Sequence, residues 1–368
     1  MIRTDIAIIG AGIAGASLAA EIGTGAKVLL IEGESQPGYH STGRSAAFWS
    51  ETYGGPAIQP LTSASGDYLR DGGFLHPRGG LHVAGPDGGE ALARLENEFA
   101  GTKVRLDRID RVGIEECVPG IRPGFDTALV EASCTDIDVA ALHALYLATA
   151  RRAGATLLCD ARVLELTPGP AGWLIRTTQS EVMAGIVVNA AGAWAAEIGA
   201  MAAATPIAIT PYRRTMVQLV VDPPAAETMP LVMDAAETWY FKPEAGGRIW
   251  LSPHDETPSA PTDAAPETFD VAVAIHRFSQ VVDWDIVKRE RAWAGLRSFA
   301  PDRVPVYGED PRRPGFFWFA GQGGFGIQTA PAAAWIGAAL LLGAGMPESL
   351  RGVDIGFYGP DRFAARVG

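Results

Sequence analysis

The sequence is poor in cysteine, with Cys117, Cys134 and Cys159 the only three, and they show neither a CxxC pair nor metal-cluster spacing. An odd, scattered set is unsuited to a disulfide framework and points to a reducing compartment. Positive charge is also scarce: 30 Lys and Arg face 42 Asp and Glu, a formal net charge of -12. That balance excludes a general nucleic-acid binder, which needs a positive field over phosphates, and a small anionic substrate would need its own local cations. No basic segment followed by an apolar stretch and a cleavage site opens the chain. Met1 to Asp5 runs directly into a strand pattern, so a cytoplasmic protein is expected. Internal repeats are absent. What remains is an ordinary globular composition, 48% hydrophobic and 20% charged, in a chain long enough for two domains or one elaborated domain.

Residues 315 to 347 carry no charge, a length that in principle spans a bilayer. Gln322, Gly323, Gly324, Gly326, Gln328 and Pro331 interrupt it, and lipid leaves such irregular backbone unsatisfied. A buried strand, a glycine loop and a core helix are predicted instead.

The apolar run Ile6-Ala7-Ile8-Ile9 suits a central parallel strand covered on both faces. Gly10-Ala11-Gly12-Ile13-Ala14-Gly15 follows, then a helical pattern, then the strand-like Val28-Leu29-Leu30-Ile31 ending at Glu32. In this order Gly10 makes the tight turn, Gly12 admits a pyrophosphate at the helix N-terminus, Gly15 allows close helix packing and Glu32 accepts from ribose hydroxyls. The motif predicts a dinucleotide site without separating NAD from FAD. A long loop after Glu32 contains Gly38-Tyr39-His40-Ser41-Thr42-Gly43-Arg44-Ser45-Ala46-Ala47-Phe48. Its hydroxyls, amides and one guanidinium suit phosphate and ring oxygens, although an ordinary polar surface loop has a similar composition.

Together these segments resemble FAD enzymes of the D-amino-acid oxidase family, most closely bacterial D-arginine dehydrogenases. Val187-Val188-Asn189-Ala190-Ala191-Gly192-Ala193-Trp194, Trp293-Ala294-Gly295-Leu296-Arg297-Ser298-Phe299 and Phe316 to Thr329 extend the resemblance over nearly the whole chain. It is weakest near residues 70 to 130 and 222 to 290. The resemblance implies an α/β fold, with a discontinuous Rossmann-like FAD-binding domain at 1–75, 135–205 and 295–368. A mixed-sheet substrate domain of α+β type would take 76–134 and 206–294. FAD would be held non-covalently by Gly10, Gly12, Ile13, Ala14, Gly15, Glu32 and the Ser41–Ala47 loop. That loop would wrap the pyrophosphate and lie along the isoalloxazine. Val163 would meet the adenine, and Ala191, Gly192 and Trp194 would lie where the cofactor domain resumes. Gly323, Gly324, Gly326, Ile327 and Gln328 would face the flavin's pyrimidine edge.

Amino-acid oxidation needs a carboxylate anchor, an apolar slot holding Cα over the flavin, and exclusion of water. Arginine suits the anchor because its planar fork meets a carboxylate bidentately. The resemblance assigns that role to Arg214 and Arg297, with adjacent Arg213 the competing candidate for the first. It assigns orienting phenols to Tyr53 and Tyr240, either of which also reads as a packed aromatic. Phe48, Gly80 and Gly324 would line the substrate pocket. Phe48 stands where the D-arginine enzyme has a histidine, and Gly80 where it has a guanidinium-binding glutamate. The implied preference is therefore for uncharged, bulky or apolar D-amino acids. Hydride would pass from Cα to flavin N5, and the imino acid would hydrolyse to a 2-oxo acid and ammonia. The electron acceptor that reoxidises the flavin is left open. His40, His76, His82, His143, His254 and His276 are scattered, with surface or structural roles expected. Two rivals remain: a flavin 2-hydroxy-acid dehydrogenase, which would need a base such as histidine, and an FAD-holding electron-transfer subunit of a larger complex.

Overall fold

The computed structural model describes residues 1–86 and 88–366. Its first sheet grows around the apolar strand Ile2–Ile9, which pairs in parallel with Val28–Ile31 on one side and Glu181–Asn189 on the other. Thr156–Leu158 extends it beyond Val28–Ile31. Phe316–Ala320 pairs in parallel with the end of Glu181–Asn189 and carries Val306–Glu309 at its far edge. The start of Glu181–Asn189 instead pairs with Gly172–Thr177, which forms a hairpin with Val163–Gly169. Both faces of the parallel centre are covered, as its uninterrupted apolar strands require. Helices Ile13–Ile22, Val139–Arg152 and Ala330–Leu342 pack on one face with Leu18, Leu142, Tyr146 and Ile336. Trp173, Ile175, Ile198 and Trp318 fill the other.

The charge-free segment contains the predicted strand Phe316–Ala320, a glycine loop and the helix Ala330–Leu342. Among the described residues no helix is long and apolar enough to cross a membrane.

A second sheet of nine strands is organised by two long antiparallel strands, Thr210–Asp222 and Asp285–Phe299. Arg248–Ser252, Tyr240–Glu244, Leu231–Asp234 and Gly80–Val83 continue it. Helix Thr268–Val281 packs on its outer face through Val271, Ala274 and Phe278. A small sheet of Phe48–Trp49, Thr135–Ile137 and Leu75–Pro77 places Phe48 between the two large sheets. The result is the expected mixed α/β architecture, with a Rossmann-like sheet beside a mixed sheet.

Candidate active site

A cleft with a volume of about 180 Å³ runs between the two sheets. The glycines at its start are required by distance. A Cβ on Gly10 would lie 2.4 Å from the Ala190 carbonyl oxygen, and one on Gly15 would lie 1.9 Å from that of Gly10. Gly12 caps helix Ile13–Ile22 without a side-chain hydrogen bond, which leaves the positive helix end toward the cleft. Thr42 is buried, and its hydroxyl accepts the Ile13 amide at 3.0 Å, fastening the loop beneath that helix end. Glu32 accepts the Ala11 and Glu34 amides at 2.9 and 3.0 Å while lining the cleft. Beyond Glu32 and Trp194 the cleft continues into a second cavity beside Ala161 and Val163. These features fit the FAD implied by the resemblance: a tight strand–turn–helix in which Gly10 and Gly15 tolerate no Cβ, a helix N-terminus whose capping residue Gly12 supplies no side chain, and a distal cavity for an adenosine.

At the other end of the cleft, Arg214 and Arg297 share one face of the long strand pair. Arg214 stands opposite Gly295, two positions from Arg297, and directly paired residues point to the same side of a sheet. Arg213 falls on the opposite face and pairs with Glu267 and, at 2.8 Å, with Asp270. The strand alternation thus turns Arg214 inward. Only 3% of its side chain is exposed. Its Nε donates to the Asp255 carbonyl at 2.8 Å and its Nη2 to Glu256 at 3.0 Å, but its buried Nη1 has no partner among the described residues. Burial and the neighbouring Arg297 hold the Arg214 guanidinium below its usual pKa. Among the described residues Arg297 forms no ion pair with a carboxylate. Two adjacent cations with an unfilled buried donor make a site for an anion.

Phe48, Tyr53 and Tyr240 form a wall beside these cations. Their ring centroids lie 5.0 Å apart for Phe48 and Tyr53 and 5.8 Å apart for Phe48 and Tyr240. The Tyr240 hydroxyl donates to Met216 Sδ at 3.2 Å. A fully buried carboxylate holds the segment leading to Tyr53. Glu131 accepts the Ser50 hydroxyl at 2.8 Å, the Thr52 hydroxyl at 2.6 Å and the Glu51 amide at 2.6 Å, with His82 at 3.2 Å. Burial opposes its charge, but His82 and the two hydroxyls outweigh that and hold its pKa below the usual carboxylate value.

Three expected site residues are placed differently from the sequence reading. The Gln328 side chain turns away from the cleft, donating to Thr62 Oγ1 at 2.9 Å and the Tyr53 carbonyl at 3.1 Å and accepting the Ser50 amide at 3.2 Å. Arg44 borders the cleft, yet its guanidinium donates to the carbonyls of Ala264 and Ala294 and to Asp263, fastening the loop to the second sheet. Gly80 lines neither the cleft nor the small cavity behind the aromatic wall. A Cβ there would meet Cys134 Cβ at 3.2 Å and Met233 Cε at 3.3 Å.

The histidines take surface, buried structural and cleft-side positions. His76 and His276 are exposed, but His82 and His143 are buried. His40 borders the cleft against Trp194, with centroids 4.7 Å apart. His254 stands 5.9 Å from the Tyr240 ring and 6.4 Å from the Tyr53 ring. No local motif marks Glu131 or His254; both reach the site through strand pairing.

Known proteins are similar to this chain in sequence and fold. The family model described as FAD dependent oxidoreductase matches residues 5–340. Glycine oxidase of Pseudomonas aeruginosa is 27% identical, over 92% of this chain and 94% of its own. Glycine oxidase of Geobacillus kaustophilus is 29% identical over 55% of this chain, and the match spans about half (51%) of that relative. The crystal structure of L-proline dehydrogenase from P. horikoshii superposes with a TM-score of 0.85, covering 99% of both chains at 24% identity, which speaks for the fold. With a family match over most of its length, this chain belongs to the DAO family of FAD dependent oxidoreductases.

Proposed function

We propose that this protein oxidises D-amino acids with uncharged side chains to imino acids, which water then converts to 2-oxo acids and ammonia. The carrying observation is the unpartnered, buried Nη1 of Arg214 beside Arg297. A substrate carboxylate would supply the missing acceptor and offset the two charges. Tyr53 and Tyr240 would fix the carboxylate's plane through their hydroxyls, and Phe48 and Met216 would exclude water from Cα. FAD, held along Gly10 to Gly15 and Ser41 to Ala47, would supply the acceptor for the Cα hydrogen and its electron pair. The amine lone pair then becomes the second C–N bond, and the amine proton leaves to solvent. The D configuration rests on the motif resemblance.

The 2-hydroxy-acid reading needs a proton acceptor, and His254 is an imidazole beside Tyr53 and Tyr240. Burial, followed by Arg214 and Arg297, pushes it down to about 2, which makes it a poor base for a hydroxyl. Product analysis tests the proposal. With an artificial electron acceptor, a D-amino acid should yield 2-oxo acid and ammonia in equal amounts; the absence of ammonia from every amino acid tried would refute it.

A further inference from the structure

A second cavity lies behind the aromatic wall, on the side away from the cofactor cleft. It has a volume of about 40 Å³ and is bordered by Phe48, Tyr53 and Tyr240 in front and by Thr52, His82 and His254 behind. The first three rings border the cavity, and the Tyr53 hydroxyl meets Arg297 at Gly324, so the side chain of a substrate anchored there through its carboxylate would lie against this space. A water needs roughly 10–15 Å³, so the cavity has room for about three water-sized atoms.

Several polar groups in the cavity already have partners, and the Glu237 carboxyl that also borders it has its pKa raised by burial. Thr52 and His82 are tied to Glu131, and Asp234 accepts the Thr238 amide and hydroxyl at 3.2 and 2.5 Å. His254 differs. Its ring borders the cavity beside Tyr53 and Tyr240, and a neutral imidazole carries one donor and one acceptor nitrogen. The ring is kept neutral by burial and by Arg214, Arg297 and Arg303. The local backbone is also unusual. Both His254 and Glu237 adopt left-handed φ values, 51° and 57°, a conformation costly for non-glycine residues and retained where the surroundings enforce it.

Resting on the proposed amino-acid oxidation, we infer that this cavity is the side-chain subsite and that His254 selects there for short, uncharged side chains bearing a hydroxyl or amide. The size of the cavity disfavours long cationic and aromatic side chains. The acceptor nitrogen favours a donor over a methyl group, because a site built around a hydrogen bond discriminates against the analogue that lacks it.

The test compares kcat/KM of the flavin-loaded enzyme for D-serine, D-threonine and D-asparagine with that for D-alanine, D-leucine, D-phenylalanine and D-arginine. Wild type should favour the best hydroxyl or amide substrate over D-alanine by about tenfold or more. His254→Leu should collapse that ratio mainly through KM, and His254→Gln should restore part of it. D-Leucine, D-phenylalanine or D-arginine at the head of the wild-type ranking would overturn the inference, as would an unchanged ratio in His254→Leu. If the variants lose flavin, the wild-type ranking alone decides. Turnover of D-amino acids without this ranking would sink the inference and spare the proposed function, whereas no turnover of any amino acid would sink both.

Discussion

Tyr53 and Arg297 converge on the space a side chain would occupy at Gly324. An ideal Cβ there would stand 2.6 Å from the Tyr53 hydroxyl and 2.8 Å from Arg297 Nε. Gly324→Ala should therefore displace both side chains. The expected result is a fall in kcat/KM of about tenfold or more with flavin content retained. Unchanged kinetics would show that the two groups do not need this approach.

Arg214 carries a conflict between stability and function. Arg214→Met removes a buried guanidinium with an unpartnered Nη1, and Glu256 keeps Arg303 as a partner at 2.7 Å. The variant should lose about a hundredfold or more in kcat/KM. Its thermal stability should stay within about 1–2 kcal/mol of wild type, because removal of a buried charge is offset by the loss of the donor to the Asp255 carbonyl. Kinetics and thermal unfolding of the same preparation check both parts, and a large loss of Tm would contradict the account.

Gly15 tests the cofactor cradle. With the Gly10 carbonyl only 1.9 Å from a Cβ at that position, Gly15→Ala should force the helix from the strand turn. The purified variant should be colourless, and its visible spectrum reports this directly.

Glu131 should make stability depend on pH in a defined direction. Its folded-state pKa lies below the ordinary glutamate value, so its ionisation stabilises the fold above that value, and this contribution is lost as pH falls through the lower folded value. Glu131→Gln should unfold more easily at neutral pH, by ~1–3 kcal/mol, and narrow its gap to wild type below about pH 4. Denaturant titrations at several pH values measure that gap; a constant gap would contradict the assignment.

The nucleotide cradle was legible because its parts are contiguous: strand, glycine turn, helix, strand and acid follow one another between Ile6 and Glu32. Arg214 and Arg297 were legible as residues but not in orientation. Only the register of Thr210–Asp222 against Asp285–Phe299 separates Arg213 from Arg214. Glu131 and His254 were not legible, since each meets its partners across tens of residues. A histidine in a polar loop has no local pattern that distinguishes a surface position from a place beside Tyr53 and Tyr240. Gly80 illustrates the converse: its position was inferred by resemblance, yet it backs onto Cys134 and Met233 rather than opening onto a cavity.

The most direct measurement is anaerobic bleaching of the flavin-loaded protein by D-amino acids, their L enantiomers, secondary amines and both enantiomers of 2-hydroxy acids. The account predicts rapid bleaching by D-amino acids with uncharged side chains, greatly slowed in Arg214→Met. Bleaching by 2-hydroxy acids alone, or a flavin that no compound in the panel reduces, would contradict it.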